Sequence, residues 1–308
     1  MAWTAAPWPV GRTDRVPAPE PELAAAKVNL YLHVLGRRAD GYHDLQSLVA
    51  FADCGDSVAV TGRAREWSLT VDGSFAEDLG ELATDDNLVL RAACRLAGTI
   101  PNTTPVALRL TKTLPVAAGI GGGSADAAAV IRLLAEMWGG DAGKPGDWAD
   151  LGADIPVCLV NKPALVEGMG ERVTPVPGLP DLPAVLANPG IESSTGAVFA
   201  ALDGRYGEPL AVPVPRAGLD VAGVAQWLNQ ARNDLTRPAM SALPPIGETL
   251  AALAATPDVL LARMSGSGAT CFGLYPTQAK ADAAATWLRA RAPGWWIKQT
   301  TLVSGADR

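Results

Sequence analysis

A glycine-rich segment, PVAAGIGGGSA at residues 115–125, is the part of the sequence whose residue types point most directly to chemistry. It contains four glycines, and a run of good helix formers follows from Ser124 onwards. Because glycine carries no side chain, backbone N–H groups in such a loop can approach a ligand closely, and the N-terminus of the following helix adds partial positive charge. The segment is therefore predicted to bind the phosphates of a nucleotide.

Two common phosphate-binding motifs do not describe this loop. The Gly143-Lys144 dipeptide is followed by proline, so the Walker A pattern GxxxxGK[ST] is absent. The dinucleotide pattern GxGxxG also fails, because the run that begins at Gly119 reaches Ser124 where the third glycine would stand. A tight turn without a ligand is the alternative interpretation of the same residues.

The elements around the loop are predicted from hydrophobic periodicity. Residues 26–35 and 105–114 alternate with period two, which indicates strands, and the second strand leads into the loop. Residues 26–35 are predicted to be half-buried, with one face formed by Val28, Leu30, Leu32 and Val34 and the other by Lys27, Asn29, Tyr31 and His33. Ser124 is expected to cap the helix after the loop, with Asp126 in its first turn.

The remaining chain mixes strands and helices without a regular βαβ order, which predicts an α+β fold. Further strands are expected at 46–60, 67–71, 260–275 (strand–turn–strand) and 295–303, and further helices at 86–96, 220–232, 245–255 and 277–291. A Pro/Gly-rich stretch at 168–189 predicts a domain boundary. We expect a flexible tail at 1–22, an N-terminal domain at 23–175 and a C-terminal domain at 176–308.

Composition narrows the classes of function. The net charge is −7 and no basic stripe is present, which argues against nucleic-acid binding. No apolar run is long enough for a membrane span, and the first residues do not resemble a signal peptide, so a cytoplasmic protein with no membrane partner is expected. The four cysteines are scattered and only two histidines are present, which makes a structural zinc site improbable.

Three motifs together resemble those of the GHMP kinases, the superfamily of galactokinase, homoserine kinase, mevalonate kinase and phosphomevalonate kinase. They are AKVNLYLHV near the start, PVAAGIGGGSADAAA, and MSGSGATCFGLY near the end, in the expected order. AKVNLYLHVLGRRADGYHDLQSL and LGADIPVCL are similar to a branch of that family that phosphorylates a cytidyl-diphosphate-linked polyol. The four motifs extend from residue 26 to residue 275.

The resemblance implies a two-domain fold, with an N-terminal ribosomal-protein-S5-like domain, a C-terminal ferredoxin-like α/β-plait domain and the active site in the cleft between them. It implies an ATP-dependent kinase that uses Mg²⁺. The hydroxyl acceptor would be the 2-hydroxyl of the methylerythritol portion of a small-molecule substrate, in the non-mevalonate route to isoprenoid precursors. A monomer or a homodimer is compatible with the sequence.

The resemblance also implies catalytic residues. Asp154 matches the family's catalytic base, and Lys27 matches a lysine that orients this base and offsets charge on the transferred phosphoryl group. From the residues alone, Asp154 could instead cap a helix and Lys27 could be a solvated group at a strand edge. Whether Asp154 acts as a true base or mainly electrostatically stays open.

The resemblance implies binding residues as well, with Phe199, in STGAVFAAL, assigned by spacing alone. Tyr42 and His43 are placed at the cytosine, with Phe199 as a second stacking aromatic, and Asn29 is expected to bind substrate. Without the resemblance, an exposed Tyr-His pair in a turn would more often have no role in binding. The expected ATP-binding residues are Pro115, Val116, Ala117, Ala118, Gly119, Ile120, Gly121, Gly122, Gly123, Ser124 and Ala125.

Four further residues are expected near the phosphates: Lys112 as a counter-charge, and Gly266, Ser267 and Gly268 as a backbone element. Lys112 could also be solvated, and the glycine–serine turn could be a plain hairpin turn. Ser124 is a candidate Mg²⁺ ligand, and no acidic second ligand is evident. Two rival functions are another GHMP kinase, of the homoserine or mevalonate type, and a non-catalytic sensor that has kept the kinase fold.

Overall fold

The computed structural model describes residues 19–83 and 86–304. Residues 1–18 of the predicted tail lie outside this part of the chain, and β1 already begins at Glu22. The strands are β1 (Glu22–Arg37), β2 (His43–Arg63), β3 (Ser68–Asp72), β4 (Val106–Thr111), β5 (Ala164–Gly168), β6 (Arg172–Pro175), β7 (Leu182–Asn188), β8 (Leu261–Met264), β9 (Cys271–Leu274) and β10 (Trp296–Val303).

The α-helices are α1 (Leu88–Ala97), α2 (Gly122–Trp138), α3 (Ile155–Val160), α4 (Thr195–Ala200), α5 (Val221–Leu228), α6 (Thr236–Ala242), α7 (Pro245–Ala254) and α8 (Gln278–Arg291). Two short 3-10 helices lie at Glu77–Ala83 and Pro145–Trp148. Every strand and helix expected from periodicity is present within a few residues, and the α+β class is confirmed. Within the described residues, no helix is both long and apolar enough to cross a bilayer.

All ten strands of the described chain belong to one sheet, with the order β3-β4-β2-β10-β7-β9-β8. β1 pairs with β2, and β5 pairs with β2 and β6. Every pair is antiparallel except β3 with β4. The 21-residue β2 contacts four other strands along its length, so it connects the two halves of the molecule.

The stretch at 168–189 is more ordered than its composition suggests. It contains β6 and β7, and β7 is a central strand that pairs with both β9 and β10. Its prolines stand at strand ends or in the turns, where a missing N–H is tolerated. The division into domains at 175/176 stays a prediction, because the sheet continues across it through the pairing of β10 with β2.

The prediction of a half-buried β1 was wrong. Residues 24–34 are buried on both faces of the strand. Its pairing with β2 is irregular between Asn29 and Tyr31, which shifts the alternation of side chains. As a result Val28 packs in the core beside β7 and α5, whereas Leu32 packs in a different cluster with α6 and α7. Periodicity in one strand does not report what covers its second face.

The start of α2 also differs from the expectation. The helix begins at Gly122, two residues before Ser124, and Gly121 occupies the N-cap position with φ of +66° and no side-chain capping bond. Ser124 therefore does not cap the helix, and Asp126 lies beyond the first turn in a buried position. A left-handed glycine, rather than a hydroxyl, ends the loop and allows the helix to begin.

Candidate active site

A cleft of about 1290 Å³ opens between the glycine loop, β1, the β1–β2 turn and α4. Three of the predicted site residues do not line it: Ile120 and Ala125 are buried in the core, and Gly268 lies at the back of its turn. The others do, namely Lys27, Asn29, Tyr42, His43, Lys112, Pro115, Val116, Ala117, Ala118, Gly119, Gly121, Gly122, Gly123, Ser124, Asp154, Phe199, Gly266 and Ser267.

Lys27 and Asp154, 127 positions apart in sequence, form an ion pair inside this cleft. Lys27 Nζ donates to Asp154 Oδ2 at 2.9 Å. The lysine side chain is almost fully buried, whereas 43% of the aspartate side chain is exposed. Asp154 occupies the N-cap position of α3 but makes no side-chain capping bond. Its carboxylate is therefore available to accept a proton from an alcohol, while the ammonium beside it can stabilise negative charge.

The backbone of the glycine loop has a consistent orientation. Four consecutive carbonyls, from Ala117 to Ile120, accept hydrogen bonds from surrounding segments. The donors, in order, are Ser193 N, Thr270 N, Ser265 Oγ and Lys27 N, at 2.9–3.0 Å. In a trans peptide each N–H points opposite to the preceding carbonyl. Each N–H group of residues 118–121 is therefore directed away from the donor that holds the preceding carbonyl.

The β8–β9 turn packs backbone to backbone on this loop. A Cβ atom at Gly119 would lie 2.5 Å from the carbonyl oxygen of Gly268 and 2.6 Å from that of Ser265. A Cβ atom at Gly266 would lie 2.7 Å from the carbonyl oxygen of Gly119. Asn233 supports the turn, since its Nδ2 donates to the Gly266 carbonyl at 2.8 Å. Both glycines have positive φ, so steric space and conformation both demand glycine.

Asn29 lies on the wall beside Lys27, and hydrogen bonds determine the orientation of its amide. Ser47 Oγ donates to the Tyr31 carbonyl at 2.6 Å, so this hydroxyl can only accept from Asn29 Nδ2, at 2.8 Å. The Asn29 N–H donates to Ser265 Oγ at 3.1 Å. Oδ1 of Asn29 is buried and has no hydrogen-bond partner among the described residues. It is an acceptor for which no residue in the described ranges 19–83 and 86–304 supplies a donor.

An aromatic cluster also lines the cleft. The rings of His43 and Phe199 stack with centroids 4.9 Å apart, and Tyr206 lies 5.9 Å from His43. Tyr42, the predicted partner of His43, is 60% exposed at the cleft edge. Burial, with a smaller contribution from Arg37, lowers the pKa of His43 below its ordinary value, which favours the neutral imidazole.

His43 and Phe199 already contact each other, so a base can enter between the two rings only if they separate. Otherwise it stacks on an outer face of the cluster. Tyr206 was missed by sequence reasoning, because a single tyrosine in an irregular segment carries no pattern.

Lys112 does not stand free beside the loop. Its Nζ donates to Asp126 Oδ2 at 2.8 Å and to Asp56 Oδ2, and all three side chains are buried. Burial raises the pKa of Asp126, although Lys112 opposes the shift. Burial lowers the pKa of Lys112, but the two carboxylates outweigh it and raise that pKa overall. The predicted counter-charge is thus engaged by two carboxylates.

Sequence reasoning also missed a group of hydroxyls on the segment that leads into α4. Ser193 Oγ donates to the Ser267 carbonyl at 2.9 Å, and Thr195 Oγ1 is 2.9 Å from Ser267 Oγ. All three residues line the cleft. Ser194 caps α4 by accepting from the Ala197 N–H, which sets the direction of the helix that carries Phe199. The run ESST before a short helix was the available signal.

One group of residues in the lining of the cleft is mostly apolar, and we call it the apolar lobe. Its walls are Leu88 and Val89 at the start of α1, Leu110 on β4, and Leu79. Asn87, the N-cap residue of α1, lies at the edge of this lobe. An apolar lobe with polar groups at its edge, next to the glycine loop, has the character of a site for a planar base.

A protein-only metal cage is absent from the described residues, since no three His, Cys, Asp or Glu side chains there are grouped to hold an ion. Ser124 lines the cleft, and its Oγ lies 3.6 Å from the position of a Cβ on Gly152, two residues before Asp154. Mg²⁺ prefers oxygen ligands and retains several waters. The residues present therefore fit an Mg²⁺ ion that is held mainly by phosphate oxygens and water.

Models of protein families match both halves of the chain. The N-terminal domain of the GHMP kinases matches residues 87–164, and the C-terminal domain of the GHMP kinases matches residues 217–293. The chain is 49% identical over 280 residues to the 4-diphosphocytidyl-2-C-methyl-D-erythritol kinase of Dinoroseobacter shibae, covering 91% of this chain and 94% of that protein. It is 50% identical to the enzyme of the same name from Parvibaculum lavamentivorans, covering 91% and 97%.

Solved structures agree with these matches. A crystal structure of 4-(cytidine 5'-diphospho)-2C-methyl-D-erythritol kinase superposes with a TM-score of 0.75 at 32% identity, covering 92% of this chain and all of that chain. Homoserine kinase from Cytophaga hutchinsonii shares the fold, with a TM-score of 0.61 at 17% identity over 91% and 96% of the two chains. The chain belongs to the GHMP kinase family, and it is an ATP-dependent phosphotransferase.

Proposed function

We propose that this kinase transfers the γ-phosphate of ATP to the 2-hydroxyl of 4-diphosphocytidyl-2-C-methyl-D-erythritol. The products are ADP and the 2-phosphate, in the non-mevalonate route to isoprenoid precursors. The observation that carries the proposal is the Lys27–Asp154 pair at 2.9 Å, which lies in one cleft with the glycine loop and the aromatic cluster. The relatives at 49–50% identity bear the name of this activity.

On the donor side, the triphosphate of ATP lies on the glycine loop, with the N-terminus of α2 adding partial positive charge. The adenine occupies the apolar lobe beside Leu88 and Leu110, which is contiguous with the loop in the same cleft. This placement directs the γ-phosphate towards Lys27, since a Cβ atom on Gly121 would lie 3.2 Å from Lys27 Cε.

On the acceptor side, the cytosine stacks on the cluster of His43, Phe199 and Tyr206, where aromatic faces match a base. The polyol then extends along the cleft to Asn29 and Asp154. A substrate hydroxyl can donate to Asn29 Oδ1, and this bond would satisfy an acceptor that is otherwise buried and unpaired. Asn29 thus helps to orient the sugar alcohol for attack.

In the chemical step, Asp154 accepts the proton of the 2-hydroxyl as the hydroxyl oxygen bonds to the γ-phosphorus. The bond from that phosphorus to the β–γ bridging oxygen breaks, and ADP leaves with the electron pair. Lys27 holds the carboxylate in place and offsets the charge on the phosphoryl oxygens. A base positioned in this way contributes a factor of about 10²–10⁴ to the rate.

We propose that Mg²⁺ accompanies ATP as the cofactor and that Ser124 would be its protein ligand. When bound, the ion neutralises charge on the phosphate oxygens. Ser124 and the loop N–H groups would keep the triphosphate in line with Asp154. A cytoplasmic location, a monomeric or homodimeric state and the absence of a nucleic-acid partner stay predictions from the sequence.

The test is ADP release by the full chain with Mg-ATP and three acceptors. We expect turnover with 4-diphosphocytidyl-2-C-methyl-D-erythritol. We expect none above background with homoserine or mevalonate, because neither carries a cytosine that could stack on the aromatic cluster. Phosphorus NMR of the product identifies the phosphorylated hydroxyl. Turnover with homoserine or mevalonate instead would favour the rival GHMP activity, and turnover with none of the three would contradict the proposal.

A further inference from the structure

A buried ionic cluster lies directly under the first residue of α2 and joins three elements. Lys112 follows β4, Asp126 belongs to α2 and Asp56 belongs to β2. Lys112 Nζ bridges the carboxylates of the other two, and none of the three residues is more than 3% exposed. Burying three charges is costly unless each is paired. The cluster therefore holds these elements in one arrangement.

The chain that enters the glycine loop is held from the β2 side. Asp56 Oδ1 accepts hydrogen bonds from the N–H groups of Thr113 and Leu114, at 2.5 Å and 2.9 Å. Thr113 Oγ1 donates to the Gly55 carbonyl at 2.7 Å. Three hydrogen bonds thus attach the two residues before the loop to one short stretch of β2.

The chain that leaves the loop is held by the same cluster. A Cβ atom on Gly122, the first residue of α2, would lie 3.5 Å from Lys112 Nζ and 3.8 Å from Asp56 Oδ2. One turn further along the helix, Asp126 Oδ2 accepts from Lys112 Nζ at 2.8 Å. Both ends of the segment 113–125 are therefore attached to a single group of three side chains.

The charge of the cluster argues against direct phosphate neutralisation. The ammonium of Lys112 is paired with Asp56 as well as with Asp126, whose pKa burial raises to about 7, so Lys112 has no unpaired positive charge to offer to ATP even where Asp126 is protonated. Any contribution to ATP binding must then come from geometry. Holding a loop in its bound conformation reduces the conformational entropy that is lost on binding.

We propose that Asp56, Lys112 and Asp126 are positioning residues for ATP, which hold the ends of the glycine loop so that its N–H groups are preorganised for the phosphates. This inference deepens the proposed function on its ATP side and rests on it only there. Asp56 is the cleanest probe, because it does not line the cleft and acts entirely through the loop.

The test uses Asp56→Asn and Asp126→Asn in the full chain, with binding of a non-hydrolysable Mg-ATP analogue measured by calorimetry. The positioning role predicts an increase in Kd of about tenfold, which corresponds to about 1.4 kcal/mol. The KM for the acceptor should change less than about threefold. If Lys112 were a phosphate counter-charge, removing a carboxylate would free its ammonium and lower Kd. A lower or unchanged Kd in both variants overturns the proposal.

A milder variant and a matched control keep the test valid if an aspartate variant folds poorly. Thr113→Val removes only the hydrogen bond to the Gly55 carbonyl, and we expect Kd to increase about threefold. The separate variant Thr113→Ser keeps the hydroxyl, so its Kd should equal that of the wild type. Asp258→Asn disrupts a surface Lys280–Asp258 pair of 2.8 Å and should leave Kd unchanged.

Thermal unfolding of the same variants separates positioning from stability alone. A lower Tm in Thr113→Val with an unchanged Kd would show a merely structural role and overturn the proposal. Because the Kd for the ATP analogue is measured without the acceptor, it tests this inference independently of the proposed acceptor. If 4-diphosphocytidyl-2-C-methyl-D-erythritol proves not to be phosphorylated, the change in Kd for the ATP analogue still decides the role of the cluster.

Discussion

The two walls of the cleft are built in different ways. The phosphate wall, residues 115–124 with the turn at 265–268, is mainly backbone whose carbonyls are held by neighbouring segments. The acceptor wall, formed by Lys27, His43, Asp154 and Phe199, is made of side chains from four separate regions. The first wall should therefore be sensitive to added atoms, and the second to removed functional groups.

The largest effect is expected on the acceptor wall. Asp154→Asn keeps the shape of the side chain but removes the proton acceptor, so kcat should fall by about 10²–10⁴ while both KM values change little. Steady-state kinetics measures this. Asp150→Asn is the control, because Asp150 lies only four residues before Asp154 in the sequence, and its exposed carboxylate pairs with Arg95. Near-normal turnover in Asp154→Asn would remove the base from the mechanism.

On the phosphate wall, the addition of one methyl group should be enough to weaken the binding of ATP. Gly119→Ala places a Cβ atom 2.5 Å from the Gly268 carbonyl at a φ of +74°, so the loop and the turn must move apart. We expect the Kd for the ATP analogue to rise at least about tenfold, together with a lower Tm. Gly62→Ala on β2 has open space around the new methyl group and should change neither. Normal ATP affinity in Gly119→Ala would show that the backbone contact is dispensable.

A moderate effect is expected at the aromatic cluster. Phe199→Ala should raise the KM for the cytidyl substrate about tenfold with an unchanged ATP Kd, since base stacking contributes about 1–3 kcal/mol. Tyr42→Ala should also raise this KM, and because Tyr42 is mostly exposed its effect measures contact with the ligand alone. Phe199→Leu, which keeps apolar volume, should lie between. An unchanged substrate KM in both alanine variants would place the cytosine elsewhere.

The smallest effect concerns pH and the segments beside the acceptor wall. His33 Nδ1 lies 3.0 Å from the Glu208 carbonyl, and Nε2 accepts from the Arg232 N–H at 3.2 Å, so the ring must be neutral. Burial, with Arg232, lowers its pKa below 6.5. The unfolded chain then binds a proton before the folded chain does, and stability is lost as the pH falls below 6.5.

His33→Gln can replace both hydrogen bonds without titrating. The free energy of unfolding, measured in urea from pH 7 to pH 5, should decline less in this variant than in the wild type, by about 1 kcal/mol or less. Other titrating groups are common to both proteins and cancel in the difference. Equal slopes would show that His33 does not sense acid.

Local sequence predicted the strand, loop and helix of the phosphate wall well. The glycines, the strand before them and the helix after them are neighbours in the chain, and their conformation depends on local propensity. The exceptions are informative. Ser124 does not cap α2, because Gly121 adopts a left-handed conformation that ends the loop first. Lys112 is engaged with Asp56, whose carboxylate is 56 positions away in sequence, and no local pattern reports such a partner.

The acceptor wall depended on long-range contacts. Motif resemblance named Lys27 and Asp154, but only the folded chain brings Nζ and Oδ2 to 2.9 Å. The contact between His43 and Phe199, and the presence of Tyr206, arise from the packing of α4 and its following segment on the β1–β2 turn. Packing of this kind is a property of surfaces that meet, and a single sequence does not show which surfaces meet.

The sequence by itself determined the α+β class, the strand–loop–helix unit and the family resemblance, because hydrophobic period, glycine content and motif order are local properties. Only the tertiary structure decided that both faces of β1 are buried, that β7 occupies the centre of the sheet and that a buried ionic cluster holds the glycine loop. Each of these depends on which distant segments remove a residue from water, and burial and pairing are set by the whole fold.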